Sequence, residues 1–240
     1  MSSTRKTQTD SKSPPFQLRV SGRRRSVGLT VTDTGELLVH APRSLSLKSI
    51  QQIIDKNLAW IERKQADRAQ AWSRLEKGKV YYRGQALTLK FANSGAAGIR
   101  LGEGVLLLMH STPIKDPWPR LRDWYRGQAE MILTGRVQHF AGLMELTPPP
   151  LEVREWRRRW GECHPQGLLR FNWRLVLLPS EHLDYIVVHE LAHLRVAGHP
   201  RPFWQEVGKY LPDYARRRGW LKLYGAPFLL WKYEKGETPL

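Results

Sequence analysis

The chain is poor in cysteine and in long apolar runs, and each shortage excludes a class of protein. A single cysteine, Cys163, occurs among 240 residues, so an intramolecular disulfide is excluded and a reducing compartment is favoured. No apolar run approaches the length of a transmembrane helix, and no N-terminal stretch resembles a signal peptide. We therefore predict a cytoplasmic protein that does not associate with membranes.

Acidic residues are also few: 22 Asp and Glu stand against 39 Lys and Arg, which leaves a formal charge of +17. Such an excess attracts polyanions, and nucleic acid is the commonest of these. The arginines cluster at Arg23–Arg25, Arg154–Arg159 and Arg216–Arg218, and Trp or Tyr side chains accompany the last two clusters. These basic patches predict contact with DNA or RNA; the alternative is that they are ordinary solvated faces.

Changes in the apolar pattern divide the chain into three parts. Residues 1–15 are polar and end in prolines, which predicts a disordered basic tail. Residues 16–116 are predicted to form a β-rich accessory module, with a small antiparallel sheet, a helix from about Ser46 to Lys77 and glycine-broken strands. Residues 117–240 contain the chemical motif. No internal repeat is visible.

Residues 117–240 are predicted to form an α+β domain. A long helix flanked by prolines comes first. Two strands follow, Leu151–Trp156 and Leu168–Leu178, and an apolar helix begins near Ser180. A further helix is predicted after Pro202.

The most informative feature is the run His189-Glu190-Leu191-Ala192-His193, which is followed by His199. Two histidines four residues apart lie one turn apart on the same face of a helix, so both imidazoles can bind one metal ion. Glu190 lies one step round the helix, where its carboxylate can face a metal-bound water as a general base. Gly198 can turn the chain back and make His199 a third ligand. Three histidines leave one tetrahedral position open, as in catalytic Zn²⁺ sites.

The surroundings of this motif argue against coincidence. The segment is apolar almost all round, which indicates a buried helix. Polar side chains inside a buried helix need partners, because leaving them without any is strongly destabilising. A metal ion supplies such partners; the alternative is a hydrogen-bonded cluster in the core.

Several further segments occur in an order and spacing that are typical of one family. They are Trp124-Tyr125-Arg126, Arg159-Trp160-Gly161 with Cys163, Asn172-Trp173-Arg174-Leu175, Asp184-Tyr185, Phe203-Trp204 and Leu211-Pro212-Asp213-Tyr214. Over about residues 118–222 the chain resembles the YgjP-like metallopeptidases, which are related to the SprT-like proteases. The resemblance implies a zincin-like fold whose active-site helix packs on a small antiparallel sheet. It also implies His189, His193 and His199 as zinc ligands and Glu190 as the base.

The resemblance has one departure, at Glu162-Cys163-His164, where relatives tend to carry serines around the cysteine. Cys163 is either a small buried residue at a strand end or a ligand that closes the open position of the metal. His164 is expected to be exposed in its turn.

This site predicts hydrolysis of peptide bonds. Zn²⁺ would lower the pKa of its bound water, and Glu190 would take the proton and pass it to the leaving amine. The strand Leu168–Leu178 would offer an edge to which an extended substrate adds. Tyr185, Arg174 and Tyr214 are candidates for stabilising the oxyanion. The alternative for each is a structural role, as a packed tyrosine or a paired arginine.

Three functions are compatible with these features. The first is a zinc endopeptidase acting on protein or peptide substrates, including proteins bound to DNA. The second is a basic nucleic-acid-binding protein with a structural zinc site; three histidines with a glutamate favour the enzyme, because structural sites usually have four cysteine-rich ligands. The third is a hydrolase of small amides, since the chemistry of zinc is the same for any amide. The physiological substrate and the oligomeric state do not follow from the sequence.

Overall fold

The computed structural model describes residues 4–7, 14–94, 96–112 and 114–233. The chain divides into two compact units, residues 1–74 and residues 75–240. None of the helices within the described ranges is long and apolar enough to cross a bilayer.

The first unit pairs a four-stranded sheet with two helices. Its elements are β1 (Thr4–Thr7), β2 (Phe16–Ser21), β3 (Gly28–Val31), β4 (Leu37–Pro42), α1 (Leu47–Lys56) and α2 (Leu58–Trp72). The strand order is β1-β2-β4-β3, in which β2 and β4 are parallel and the two outer pairs are antiparallel. Alternate residues of β2 and β4, such as Leu18 and Val39, share a buried cluster with Ile50, Ile54 and Ile61 of the helices.

Two expectations for this unit differ from the structure. The predicted antiparallel sheet is mixed, because β2 pairs with β4 and the intervening β3 brings β4 back in the same direction as β2. The predicted disordered tail contains β1, in which Thr4–Thr7 pair with the Phe16–Arg19 stretch of β2. A strand edge pairs with main-chain groups whatever the side chains are, so composition does not reveal such a strand. Residues 1–3 and 8–13 of that tail lie outside the described residues.

The second unit combines two sheets with helices. Its elements are β5 (Lys79–Tyr82), β6 (Gln85–Asn93), β7 (Gly98–Gly102), β8 (Val105–His110), α3 (Trp118–Leu143), β9 (Leu151–Arg154), β10 (Gly161–Cys163), β11 (Leu169–Asn172), a 3₁₀ helix (Trp173–Leu177), α4 (Ser180–Ala192), α5 (Arg201–Tyr210) and α6 (Tyr214–Leu230). The larger sheet has the order β5-β6-β8-β7 and the smaller one β10-β11-β9.

The boundary between the units lies earlier than the predicted one at residue 116. The β5–β8 sheet shares a buried cluster with α3 and α4, and the Tyr125 hydroxyl of α3 donates to the Tyr81 carbonyl at 2.8 Å. The β5–β6 turn contacts the segment before α4: the Gly84 N–H donates to the Leu177 carbonyl at 3.1 Å. Gly84 has a φ of +81°, and a Cβ there would lie 2.8 Å from Pro179. Short strands interrupted by glycines carry no sequence signal for the element on which they pack. The sequence therefore did not reveal that the β5–β8 sheet belongs to the second unit.

The three-stranded sheet lies beside α4, and it too is mixed. The α+β class is confirmed, but β9 and β11 run parallel while β10 and β11 are antiparallel. The predicted strand Leu168–Leu178 ends at Asn172, whose side-chain oxygen accepts from the Arg174 N–H at 3.1 Å and so begins the 3₁₀ helix. The Asn172 amide also donates to the carbonyls of Trp156 and Arg159, at 2.7 and 3.0 Å. One buried asparagine therefore ends β11 and holds the loop that leads into β10.

Helix α4 is fixed within the unit by its apolar surface and by ion pairs to α3 and α6. Its buried residues lie on all sides, which matches the all-round apolar pattern. Arg136 of α3 binds Asp184 of α4 in a two-pronged pair, with Nε–Oδ1 at 2.6 Å and Nη2–Oδ2 at 2.9 Å. The first half of α4 is therefore held against α3.

Candidate metal centre

Three histidines converge at the C-terminal end of α4. His189 lies in the last turn, and His193 follows the helix with φ −66° and ψ −19°, so the four-residue helical spacing is kept. Gly198 has a φ of +68°, the left-handed conformation that a turn back toward the helix requires. The next residue is His199. One ring nitrogen from each of the three histidines lies within 4.8 Å of the others.

The donor set fits a zinc ion. The Nε2 atoms of His189 and His199 are 3.1 Å apart, and two ligand nitrogens on a tetrahedral zinc are separated by about 3.3 Å. His193 donates its Nδ1 proton to the Val196 carbonyl at 3.2 Å, because a carbonyl can only accept; this leaves Nε2 free to bind a metal. Burial lowers the pKa of His189 to about 3 and lowers that of His193, so both are neutral at physiological pH, as ligands must be.

Helix α5 orients the imidazoles through two aromatic residues. The Phe203 ring stacks on His193 with a centroid separation of 4.5 Å. Trp204 stacks on His199 at 5.6 Å, and its indole N–H donates to the His199 carbonyl at 3.1 Å. The loop that carries His199 is therefore tied to a helix, and the ring orientations do not depend on a bound ion alone.

Glu190 faces the other wall of the site. Its side chain is 5% exposed and lies against Gly161 of β10, where a Cβ would be 2.8 Å from Oε1. Burial, followed by the charge of Glu162, raises the pKa of Glu190 to about 8, and a hydrogen bond from the Cys163 N–H opposes that shift. A raised pKa makes the ionised carboxylate a stronger proton acceptor than an ordinary glutamate.

The histidines and Glu190 line a cleft of about 650 Å³. Its other wall is β10 with the turn that follows; the lining residues are Gly161, Glu162, Cys163, His164, Pro165, Gly167, His189, Glu190, His193, Leu194, Ala197, Gly198 and His199. The predicted substrate edge on Leu168–Leu178 needs correction. Its strand, β11, is paired on both sides, and the edge that borders the cleft is β10.

Comparison with known proteins agrees with this geometry. The family described as YgjP-like, metallopeptidase domain, matches residues 25–224. The chain belongs to the YgjP-like metallopeptidase family. The match includes residues 25–74 of the first unit.

No curated protein matches the chain. Among solved structures, a crystal structure of the metallopeptidase zymogen of Pyrococcus abyssi abylysin is similar to 38% of this chain and 94% of that chain, with 25% identity and a TM-score of 0.34.

In this YgjP-like domain, none of the predicted oxyanion stabilisers lines the cleft. Tyr185 is buried with its ring centroid 5.8 Å from that of His189, and burial raises its pKa to about 12. Arg174 forms an ion pair with Glu155 at 2.9 Å. Tyr214 stacks on Trp204 at 5.4 Å. The structure therefore gives Arg174 and Tyr214 the structural roles that were the alternatives, and Tyr185 supports His189 from the side.

Cys163 and His164 both border the cleft. Among the described residues, the group that can hold a metal consists of the three histidines and does not include Cys163. Burial and the neighbouring charge of Glu190 raise the pKa of the Cys163 thiol, which disfavours the thiolate that binds metals. His164 was expected to be exposed and is partly buried in the cleft wall. The sequence contains no local signal for this position, because the contact arises between β10 and α4.

Proposed function

We propose that this YgjP-like protein is a zinc-dependent endopeptidase. The observation that carries the proposal is the convergence of His189, His193 and His199 opposite a buried carboxylate, Glu190, in an open cleft. Zinc in such a site acts as a Lewis acid that lowers the pKa of water toward neutrality. Three neutral histidines and a glutamate suit a catalytic site better than the structural zinc of a purely nucleic-acid-binding protein.

Glu190 has the position and the basicity of a general base. Its carboxylate lies in the cleft wall next to the histidines, and the Cys163 N–H orients it. It would take a proton from a water molecule in the cleft and deliver it to the leaving amine. Gly161 makes room for this side chain, because any larger residue would displace the carboxylate.

Strand β10 is suited to hold an extended peptide. The Trp160 carbonyl accepts from the Asn172 N–H of β11, and the His164 N–H donates to the carbonyl of Leu168, the residue before β11. In an antiparallel pair alternate residues face the partner strand, so the main-chain groups of Gly161 and Cys163 face the opposite way. The Cys163 N–H is bonded to Glu190, so a substrate strand added at this edge would lie along the cleft and bond to the main-chain groups of Gly161 and to the Cys163 carbonyl.

His164 is the residue that we propose as hydrogen-bond donor to the developing oxyanion. Its Nδ1 accepts from the Gln166 N–H at 3.3 Å. A neutral imidazole that accepts at Nδ1 carries its proton on Nε2, which makes Nε2 a donor. His164 lines the cleft, whereas Tyr185, Arg174 and Tyr214 do not.

The variant Glu190→Gln tests the enzyme. We expect it to keep zinc, measured by elemental analysis of the purified protein, and to lose peptide hydrolysis by a factor of about 10²–10⁴, the usual contribution of a general base. Cleavage of an unstructured protein such as casein is the readout. A variant that holds zinc and cleaves at the wild-type rate would rule out this mechanism. Zinc-loaded wild-type protein without hydrolytic activity would favour the structural-site alternative.

A further inference from the structure

The three arginine-rich stretches of the chain differ in how far carboxylates neutralise them. In the third, Arg216 pairs with Glu181 at 2.7 Å and with Asp213 at 2.6 Å, and Arg217 pairs with Asp213 at 2.8 Å. In the second, Arg154 pairs with Glu152 and Arg159 pairs with Glu162. Carboxylates therefore neutralise part of the charge of these two stretches, and Arg157, Arg158 and Arg218 are the members without an ion pair among the described residues.

The first stretch has no such compensation. Arg23, Arg24 and Arg25 form the β2–β3 loop and are exposed, as are Arg19 on β2 and Arg43 after β4. None of these five guanidinium groups has an ion-pair partner among the described residues, whereas Arg68 in the same unit pairs with Asp33. Five positive charges are thus left to the solvent on one part of the first unit.

The sheet brings Arg19 and Arg24 onto one face. Arg19 is the cross-strand partner of His40, and His40 is the partner of Gly28 on its other side. The Arg24 guanidinium folds over Gly28, with Nη1 3.0 Å from the position that a Cβ would take. Burial and the charges of Arg24 and Arg19 lower the pKa of His40, which reflects how close the two guanidinium groups are.

Three more exposed arginines, Arg23, Arg25 and Arg43, lie in the loops that follow β2 and β4. The Arg43 side chain passes 3.9 Å from the Cβ position of Gly22, next to Arg23. The side of the sheet opposite Arg19 and His40 is the buried side that carries Leu18 and Val39. We call the surface formed by Arg19, Arg23, Arg24, Arg25 and Arg43 the arginine face.

We propose that the arginine face binds the phosphate backbone of nucleic acid. Guanidinium groups form two parallel hydrogen bonds to a phosphate and are weakly hydrated, which makes arginine the usual residue for such contacts. A membrane surface fits less well, because membrane-binding surfaces also insert apolar side chains. The exposed large apolar residues of the described chain are Leu47, Phe91, Leu101, Met131 and Leu143, and none belongs to the arginine face.

The proposal does not rest on the peptidase activity, so each can fail without the other. Binding through phosphates alone is insensitive to sequence and weakens steeply with salt. The full-length, zinc-loaded protein should therefore bind a labelled mixed-sequence DNA duplex at low salt, measured by fluorescence anisotropy, with an affinity that falls as salt is added.

The decisive comparison uses two matched double variants. Arg19→Gln/Arg24→Gln removes two charges on either side of His40. Lys90→Gln/Arg100→Gln removes two exposed charges at cross-strand positions on either side of Leu107 in the β5–β8 sheet. We expect the first variant to weaken binding by about tenfold or more and to reduce the salt slope by about 2, and the second to have little effect.

Three results would overturn the proposal. They are no binding by the wild type at low salt, an equal loss in both double variants, or tight binding to phosphatidylglycerol vesicles without binding to the duplex. A second variant, Arg23→Gln/Arg25→Gln, repeats the test in the exposed loop, where folding is least at risk. Zinc content and circular dichroism of each variant check that the fold is kept.

Discussion

The two four-stranded sheets of this protein have the same topology and different tasks. The orders β1-β2-β4-β3 and β5-β6-β8-β7 are equivalent, and in both the central pair is parallel and the outer pairs are antiparallel. Each sheet is followed by helix. The sequence shows no repeat that would reveal this equivalence. Many different sequences that alternate apolar and polar residues can form strands in the same order.

The difference between the sheets lies in what they contact and expose. The first closes its buried side with α1 and α2 and presents the arginine face. The second joins the core of the metal-binding unit, and its β5–β6 turn, at Gly84, bonds to the segment that leads into α4. One topology thus supplies a charged surface in one unit and support for the candidate active site in the other.

After Glu190→Gln, the next-largest effect on catalysis is expected at His164. We expect His164→Ala to lower kcat by about a hundredfold, the usual loss for an oxyanion donor, with zinc content unchanged. His164→Gln, which keeps an N–H donor, should recover part of the loss. Duplex binding should be the same in both variants, because the arginine face is untouched. A full loss of zinc in His164→Ala would instead assign this residue to the metal site.

Gly84 tests whether the second sheet supports α4. An alanine there meets a φ of +81° and a 2.8 Å contact with Pro179, so Gly84→Ala should reduce the free energy of unfolding by about 2–4 kcal/mol and weaken zinc binding. Gly35→Ala and Gly104→Ala are matched controls in the β3–β4 and β7–β8 turns. They have φ values of +86° and +66° and no contact closer than 3.9 Å.

The two controls should each lose only about 1–2 kcal/mol from backbone strain, measured by urea denaturation, and should keep their zinc. If Gly84→Ala behaved like them, the second sheet would not be a support for α4.

The smallest expected effect concerns acid. His182 is 1% exposed and stacks on Trp220 at 4.0 Å, and burial lowers its pKa to about 4 from 6.5. His182 therefore binds a proton more readily in the unfolded chain than in the folded protein. The contribution of neutral His182 to the free energy of unfolding is complete above pH 6.5 and is lost as the pH falls toward 4.

His182→Phe keeps the stacked ring and removes the titration. Its denaturation midpoint should vary less between neutral and acidic pH than that of the wild type. If the two proteins showed the same pH dependence, titratable groups other than His182 would cause the loss of stability in acid. The first unit, in which His40 is the sole histidine, offers no buried group of this kind among its described residues.

Local features of the site could be read from the sequence because they depend on helix and turn geometry. The spacing of His189 and His193 places them one turn apart in any helix. Gly198 has the positive φ that the return to His199 requires. The apolar surroundings of the motif indicated burial, and α4 is indeed buried on all sides.

The position of each oxyanion candidate depended on contacts between distant segments. Arg174 meets Glu155 and the Trp231 carbonyl, and Tyr214 meets Trp204, so neither reaches the cleft. His164 reaches it because β10 lies beside α4. The direction of β11 relative to β9, and the identity of the substrate edge, likewise depend on which strands pair.

Residue identity and short spacing are enough to define the metal-binding motif, the family and the net charge of +17. Tertiary structure alone decided which arginines remain uncompensated, because neutralisation depends on carboxylates that approach from other elements. It also decided that Glu190 lies against Gly161 and that a second sheet supports α4. Those contacts join residues far apart in the chain, and no local pattern records them.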